Sequence, residues 1–218
     1  GYIVAISVGM LVMSCSNSKM EVPGPMLEHN MVFEELATRW DEALPLGNGD
    51  LGVLIWKKED KLRFSLDRSD LWDLRSISWL EKEEFKFSWV YKKWLENDYG
   101  VVQEFFDKGA YSNSIAPSKI PGASIEFSLP ELGEPIRVEI DILTAVAHVE
   151  WANGTKLETF VHATEDRGVF KFTNVPDQIE LNLIPPRYES ETDSGDEDEV
   201  TGQDLRRLGY KQGKVTKT

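Results

Sequence analysis

The sequence predicts a mainly β chain, an antiparallel sandwich with one short helical insert. Three observations lead there. Residues 51–56 (LGVLIW) form a short unbroken apolar run, the pattern of a strand covered on both faces. Residues 61–66 (KLRFSL) then alternate strictly, with Leu62, Phe64 and Leu66 on one face and Lys61, Arg63 and Ser65 on the other. Further short β-prone runs follow at roughly even spacing, separated by Gly, Pro and Asn, which favours a sandwich over βαβ units.

Taken in order, residues 57–60 (KKED) are a polar turn that makes 51–66 a hairpin. The later strands are expected at 124–129, 136–142, 145–151, 156–163, 168–172 and 179–184. Asn153-Gly154 lies between two of them, and a type I′ turn with positive φ at both positions is expected there. Between the early and late strands, Val90, Trp94, Leu95, Val101, Val102, Phe105 and Phe106 recur at helical spacing. Two short amphipathic helices broken at 98–100 are expected, in an insert spanning about 79–118 that Pro117 and Pro121-Gly122 close. The sandwich domain is placed at 31–185. After Ile184 the apolar pattern fades, so residues 186–218 read as an acidic loop and an unfinished segment, and the sandwich is expected to be incomplete.

Composition narrows the function classes. Apolar residues make up 41% of the 218, seven of them Trp, which suffices for a packed core. A net charge of −14 argues against a nucleic-acid partner, whose phosphates would be repelled. Residues 189–199 (ESETDSGDEDE) hold seven carboxylates, about half of that excess. Asp193, Asp196 and Asp198 do not match the spacing of a calcium loop, and no Glu closes one, so a solvated loop is the expectation.

The N-terminus carries an address. Residues 2–13 are almost wholly apolar, too few to span a bilayer as a helix but suited to the core of an export signal. The run ends at Val12-Met13-Ser14-Cys15, which resembles a bacterial lipoprotein signal, with Ser14 as the small residue before the cysteine. That resemblance implies cleavage after residue 14, lipidation of Cys15 and a membrane-anchored protein of the periplasm or outer-membrane surface. Residues 15–30, with Pro23-Gly24-Pro25, would then tether the domain. The other reading is an ordinary secretory peptide. Gly1 and the lack of a basic leader suggest that the natural chain begins earlier. Cys15 is the only cysteine, so no internal disulfide is possible.

Residues 39–56 (RWDEALPLGNGDLGVLIW) and 66–72 (LDRSDLW) are the most specific stretches. Together they resemble the opening of the N-terminal super-β-sandwich domain of family 95-type glycoside hydrolases, which are α-L-fucosidase-like. Residues 141–147 and 158–163 add a weaker match, whereas Asp67-Arg68 stand where that family has Asn-Glu. The resemblance implies a parent enzyme that hydrolyses α-L-fucosides or related glycans by inversion. Its acid and base would lie in a helical barrel following the β-domain, so no catalytic residue is assigned to this chain.

Three residues are candidates for the edge of a glycan site: Asn48, Asp70 and Trp72. A carboxylate beside an aromatic face suits hydroxyl bonding and sugar stacking. Against this, the glycines around Asn48 would serve a tight turn, with Asn48 itself left-handed, and Asp67, Asp70 and Asp73 would pair locally with Arg68 and Arg75. His148 and His162 are expected about 10 Å apart along their strands, with His148 opposite Thr159, so neither a metal nor any other cofactor is expected. The competing function is a stand-alone carbohydrate-binding or structural module of a surface lipoprotein.

Overall fold

A computed structural model describes residues 27–107, 115–128, 132–175, 179–188 and 205–216. Cys15, the apolar leader and the acidic run lie outside the described residues. Twelve strands occur among them: β1 Met31–Phe33, β2 Leu44–Gly47, β3 Leu51–Lys58, β4 Lys61–Arg68, β5 Trp72–Asp73, β6 Ser118–Lys119, β7 Ser124–Ser128, β8 Pro135–Asp141, β9 Val146–Trp151, β10 Lys156–Val161, β11 Gly168–Thr173 and β12 Glu180–Ile184. One five-stranded sheet has the order β1-β8-β9-β10-β11, and a second has β12-β7-β4-β3-β2. Every pairing is antiparallel.

The two sheets share one core, to which the first contributes Val138, Ile140, Ala147, Val149 and Leu157 and the second Val53, Ile55, Leu62, Phe64 and Phe127. Phe127 binds the layers together, with Phe64 edge-on at 5.5 Å from its own sheet and Phe170 and Phe172 at 4.8 and 5.1 Å from the other. Such pairs add to plain burial, since the positive ring edge meets the negative face of its neighbour.

The alternation in β4 is as expected, but its second face is not wet. Arg63 and Ser65 are buried along with Trp56. Arg63 lies over the Trp56 ring at 5.7 Å and pairs with Glu126 at 3.1 Å, and the indole N–H donates to the Ser65 hydroxyl at 3.0 Å. The charge on this covered face is balanced by the Glu126 carboxylate and by the aromatic face of Trp56.

The turn at Asn153-Gly154 differs from expectation. Gly154 alone has positive φ, at 88°. Its N–H donates to Trp151 O at 2.9 Å while Trp151 N–H donates to Thr155 O at 3.0 Å, a type I turn closed by a glycine bulge. The extra residue moves the register by one, so His148 faces Glu158, and Thr159 faces Ala147. Four positions therefore separate the histidines along β10, about 13 Å.

The insert contains α1 Phe87–Leu95 and α2 Tyr99–Asp107. The break falls earlier than the sequence suggests, because Asn97 takes the left-handed conformation at φ 55°. Asn97 N–H donates to Trp94 O and Asp98 N–H to Lys93 O, the paired bonds of a Schellman stop. Neither helix buries a residue. Trp79, Phe85, Trp89, Phe105 and Phe106 pack on one another instead, with Trp79 stacked on Phe105 at 4.5 Å. The insert leaves and re-enters through β5 and β6, where Asp73 pairs with Ser118. No helix among the described residues is long and apolar enough to cross a membrane.

Candidate functional site

The candidate residues meet at one end of the sandwich, where the β2–β3 turn, the stretch from β4 to β5 and the 162–167 turn converge. Gly49 supplies the positive φ of the β2–β3 turn, at 98°, while Asn48 acts through its side chain. The Asn48 amide oxygen accepts from Asp50 N–H at 3.0 Å and Leu51 N–H at 2.8 Å. Its amide nitrogen donates to His162 O at 2.9 Å and Glu165 O at 3.1 Å. Asn48 thus ties the two sheets together at this end, and both halves of its amide are spent internally.

Beyond β4 the chain turns on charge pairs. Arg68 donates to both carboxylate oxygens of Asp70 at 3.1 Å and lies 3.4 Å from Asp166. The ammonium of Lys119 donates to Asp67 at 2.6 Å and to Arg68 O at 2.5 Å. Ser69 N–H donates to Asp50 O at 2.9 Å, closing the rim onto the β2–β3 turn. Trp72 follows at the start of β5, paired with Lys119, and is 49% exposed. Asp70 and Trp72 are therefore neighbours on an open rim, whereas Asn48 lies behind it.

Asp73, one residue past Trp72, belongs to a different construction. It is buried and is gripped by Arg75, whose Nε lies 2.9 and 3.0 Å from its two oxygens and whose Nη2 also donates to it. Tyr210 donates its hydroxyl to the same carboxylate at 3.0 Å. Arg75 reaches on to Leu208 O at 2.7 Å and lies over the Tyr210 ring. The Arg75 guanidinium holds the Asp73 carboxyl well below the usual carboxylate range, and burial pushes the Tyr210 phenol up. Arg207 donates to Ser118 at 2.7 Å, so the segment around Leu208 is clamped to the root of the insert. No local pattern announces this docking, because the buried Leu208 stands outside any apolar period.

Each carboxylate of the 67–73 stretch is thus ion-paired, Asp67 with Lys119, Asp70 with Arg68 and Asp73 with Arg75. Among the described residues no group of three or more His, Cys, Asp or Glu side chains could hold a metal ion. The rim presents the Asp70 carboxylate and the half-exposed ring of Trp72 side by side. Residues 31–213 match the family model for the glycosyl hydrolase family 65 N-terminal domain. The chain belongs to that family. No curated protein matches it.

As a glycosyl hydrolase family 65 N-terminal domain, the chain is a non-catalytic β-sandwich module. The match supports the coarser part of the resemblance carried by the 39–56 stretch, an N-terminal β-sandwich domain of the glycosyl hydrolases. It extends over β1 and over the clamped segment at Leu208, both beyond the stretches that carried the sequence resemblance.

Proposed function

We propose that this domain is the non-catalytic N-terminal part of a lipid-anchored glycoside hydrolase acting on α-L-fucosides or related glycans, with Asp70 and Trp72 at the glycan-facing rim. The membership of residues 31–213 in a glycosyl hydrolase N-terminal family is the observation that carries the reading. Support for the glycan class comes from the EALPLGNGDLG and DRSDLW stretches, and support for the anchor from Val12-Met13-Ser14-Cys15. The half-exposed Trp72 beside an Arg-fixed carboxylate matches how sugars are held, with C–H faces on a ring and hydroxyls on an oxygen.

Affinity electrophoresis of the full chain against a panel of fucosylated and unfucosylated glycans tests the rim. Retention by the fucosylated set, lost in Trp72→Ala at unchanged melting temperature, is expected. Equal retention of both proteins, or hydrolysis by the chain alone, would contradict the reading. Labelling with radioactive palmitate in a bacterial host tests the anchor separately. Incorporation abolished by Cys15→Ser is expected, and an unlabelled exported chain would remove that part.

A further inference from the structure

The two sheets do not close completely on each other. Between them lies a cavity of about 250 Å³, walled by Leu46, Phe64, Ile125, Val161 and Phe170 among others. Its exposed lining residues all fall within 166–170, so it opens along the turn and first half of β11. Asp166, which pairs with Arg68 of the rim, lies at this mouth.

One polar side chain breaks the apolar interior. Thr159 faces inward from β10 between Leu157 and Val161, only 4% exposed, and lines the cavity. Nothing among the described residues forms a hydrogen bond with its hydroxyl. The contrast with Thr155 on the same hairpin is direct, since the Thr155 hydroxyl is buried but donates to Asn174 O at 2.8 Å. The Thr159 hydroxyl is not sealed off, since it lines the cavity and stays reachable from it, so a ligand oxygen can meet it there. Inside the mouth Thr159 is the one polar side chain, so water entering from the 166–170 side gains few partners against the apolar walls. A cavity of about 150 Å³ lined by Leu, Ile and Phe is enough to hold benzene, so this one has room for a ring and a short substituent.

We propose that the cavity between the sheets is a binding site for a small, neutral, ring-sized apolar molecule carrying one hydroxyl, which bonds the Thr159 hydroxyl while its hydrocarbon fills the space beside Phe64 and Phe170. This goes beyond the glycan-facing rim and does not depend on it. The ligand is held by burial, and Thr159 supplies the selectivity for an oxygen.

The test uses the full chain, with benzyl alcohol as probe and toluene as its hydroxyl-free counterpart, read by methyl chemical shifts. Saturable shifts confined to methyl groups that line the cavity, Leu46, Ile125, Thr159 and Val161 among them, are expected, with benzyl alcohol the tighter of the two. Thr159→Val should weaken benzyl alcohol about three- to tenfold, the worth of one net hydrogen bond, and leave toluene unchanged. Thr159→Ser, which keeps the hydroxyl, should retain the preference and guards against a folding artefact. Shifts that never saturate, toluene binding as tightly as benzyl alcohol, or an unaltered preference in Thr159→Val would each overturn the proposal.

Discussion

The sandwich and the helical insert are both rich in aromatic side chains, yet they hold them in opposite ways. In the sandwich, Phe64 and Phe127 are nearly inaccessible and touch residues of both sheets, so each ring is fixed by strands distant in sequence. In the insert, Trp79, Phe85, Phe105 and Phe106 form an equally dense cluster, but its two helices bury nothing, and Phe87 on their outer side is 80% exposed. A cluster of that kind holds local elements together without joining the main core. The sandwich is thus the folding unit, and the insert is attached to it by the short β5–β6 pairing.

The largest expected effect sets the two aromatic clusters against each other. Phe127→Ala should cost about 3–5 kcal/mol in a denaturant titration, because it removes contacts to both sheets and leaves a cavity. Trp79→Ala should alter the near-ultraviolet circular dichroism while moving the main transition by about 0.5 kcal/mol or less. Equal losses would erase the distinction. Next comes the seam where the insert rejoins the sandwich. A Cβ at Gly122 would lie 2.1 Å from Leu66 O, a backbone atom that cannot step aside, so Gly122→Ala should cost about 1–3 kcal/mol.

The Asp73 clamp predicts a pH signature of similar size. Its folded carboxyl is held below its unfolded value, so its contribution is complete above about pH 4 and is lost as pH falls from there toward the folded value. Asp73→Asn should therefore cost about 1–3 kcal/mol at neutral pH, with the gap from the native protein shrinking below about pH 4 in parallel urea titrations. The smallest effect belongs to the rim. Trp72→Ala should change stability by about 0.5 kcal/mol or less, because the ring is half in solvent, and its consequences should appear in glycan retention alone.

Legibility in the sequence followed the range of the interactions. The β3–β4 hairpin was readable because its alternation and polar turn lie within eighteen residues, and the helices because aromatic spacing is a local signal. The short strands Met31–Phe33 and Leu44–Gly47 were not, since three or four residues carry no period. Leu44–Gly47 also contains Pro45, tolerable only because this strand lies at the sheet edge. Asn153-Gly154 announced a turn but could not choose between two hairpin types, and the bulge that forms shifted the histidine register by one. At the candidate site, the local Arg68–Asp70 and Arg75–Asp73 pairs followed from adjacency. The grip of Asn48 on residues 162 and 165, and of Asp73 on Tyr210, spans more than 100 residues in each case, and nothing local encodes it.

The division into folding unit and appendage is tested most directly by excision. Replacing residues 78–114 with a short Gly-Ser linker keeps Asp73, Arg75, Ala116 and Ser118 and removes both helices with their aromatic cluster. The shortened chain should show a single cooperative thermal transition within a few degrees of the native protein, with the Phe127→Ala penalty unchanged. A shortened chain that loses cooperative unfolding, while Asp73 and Ser118 remain in place, would show that the helices are part of the core after all.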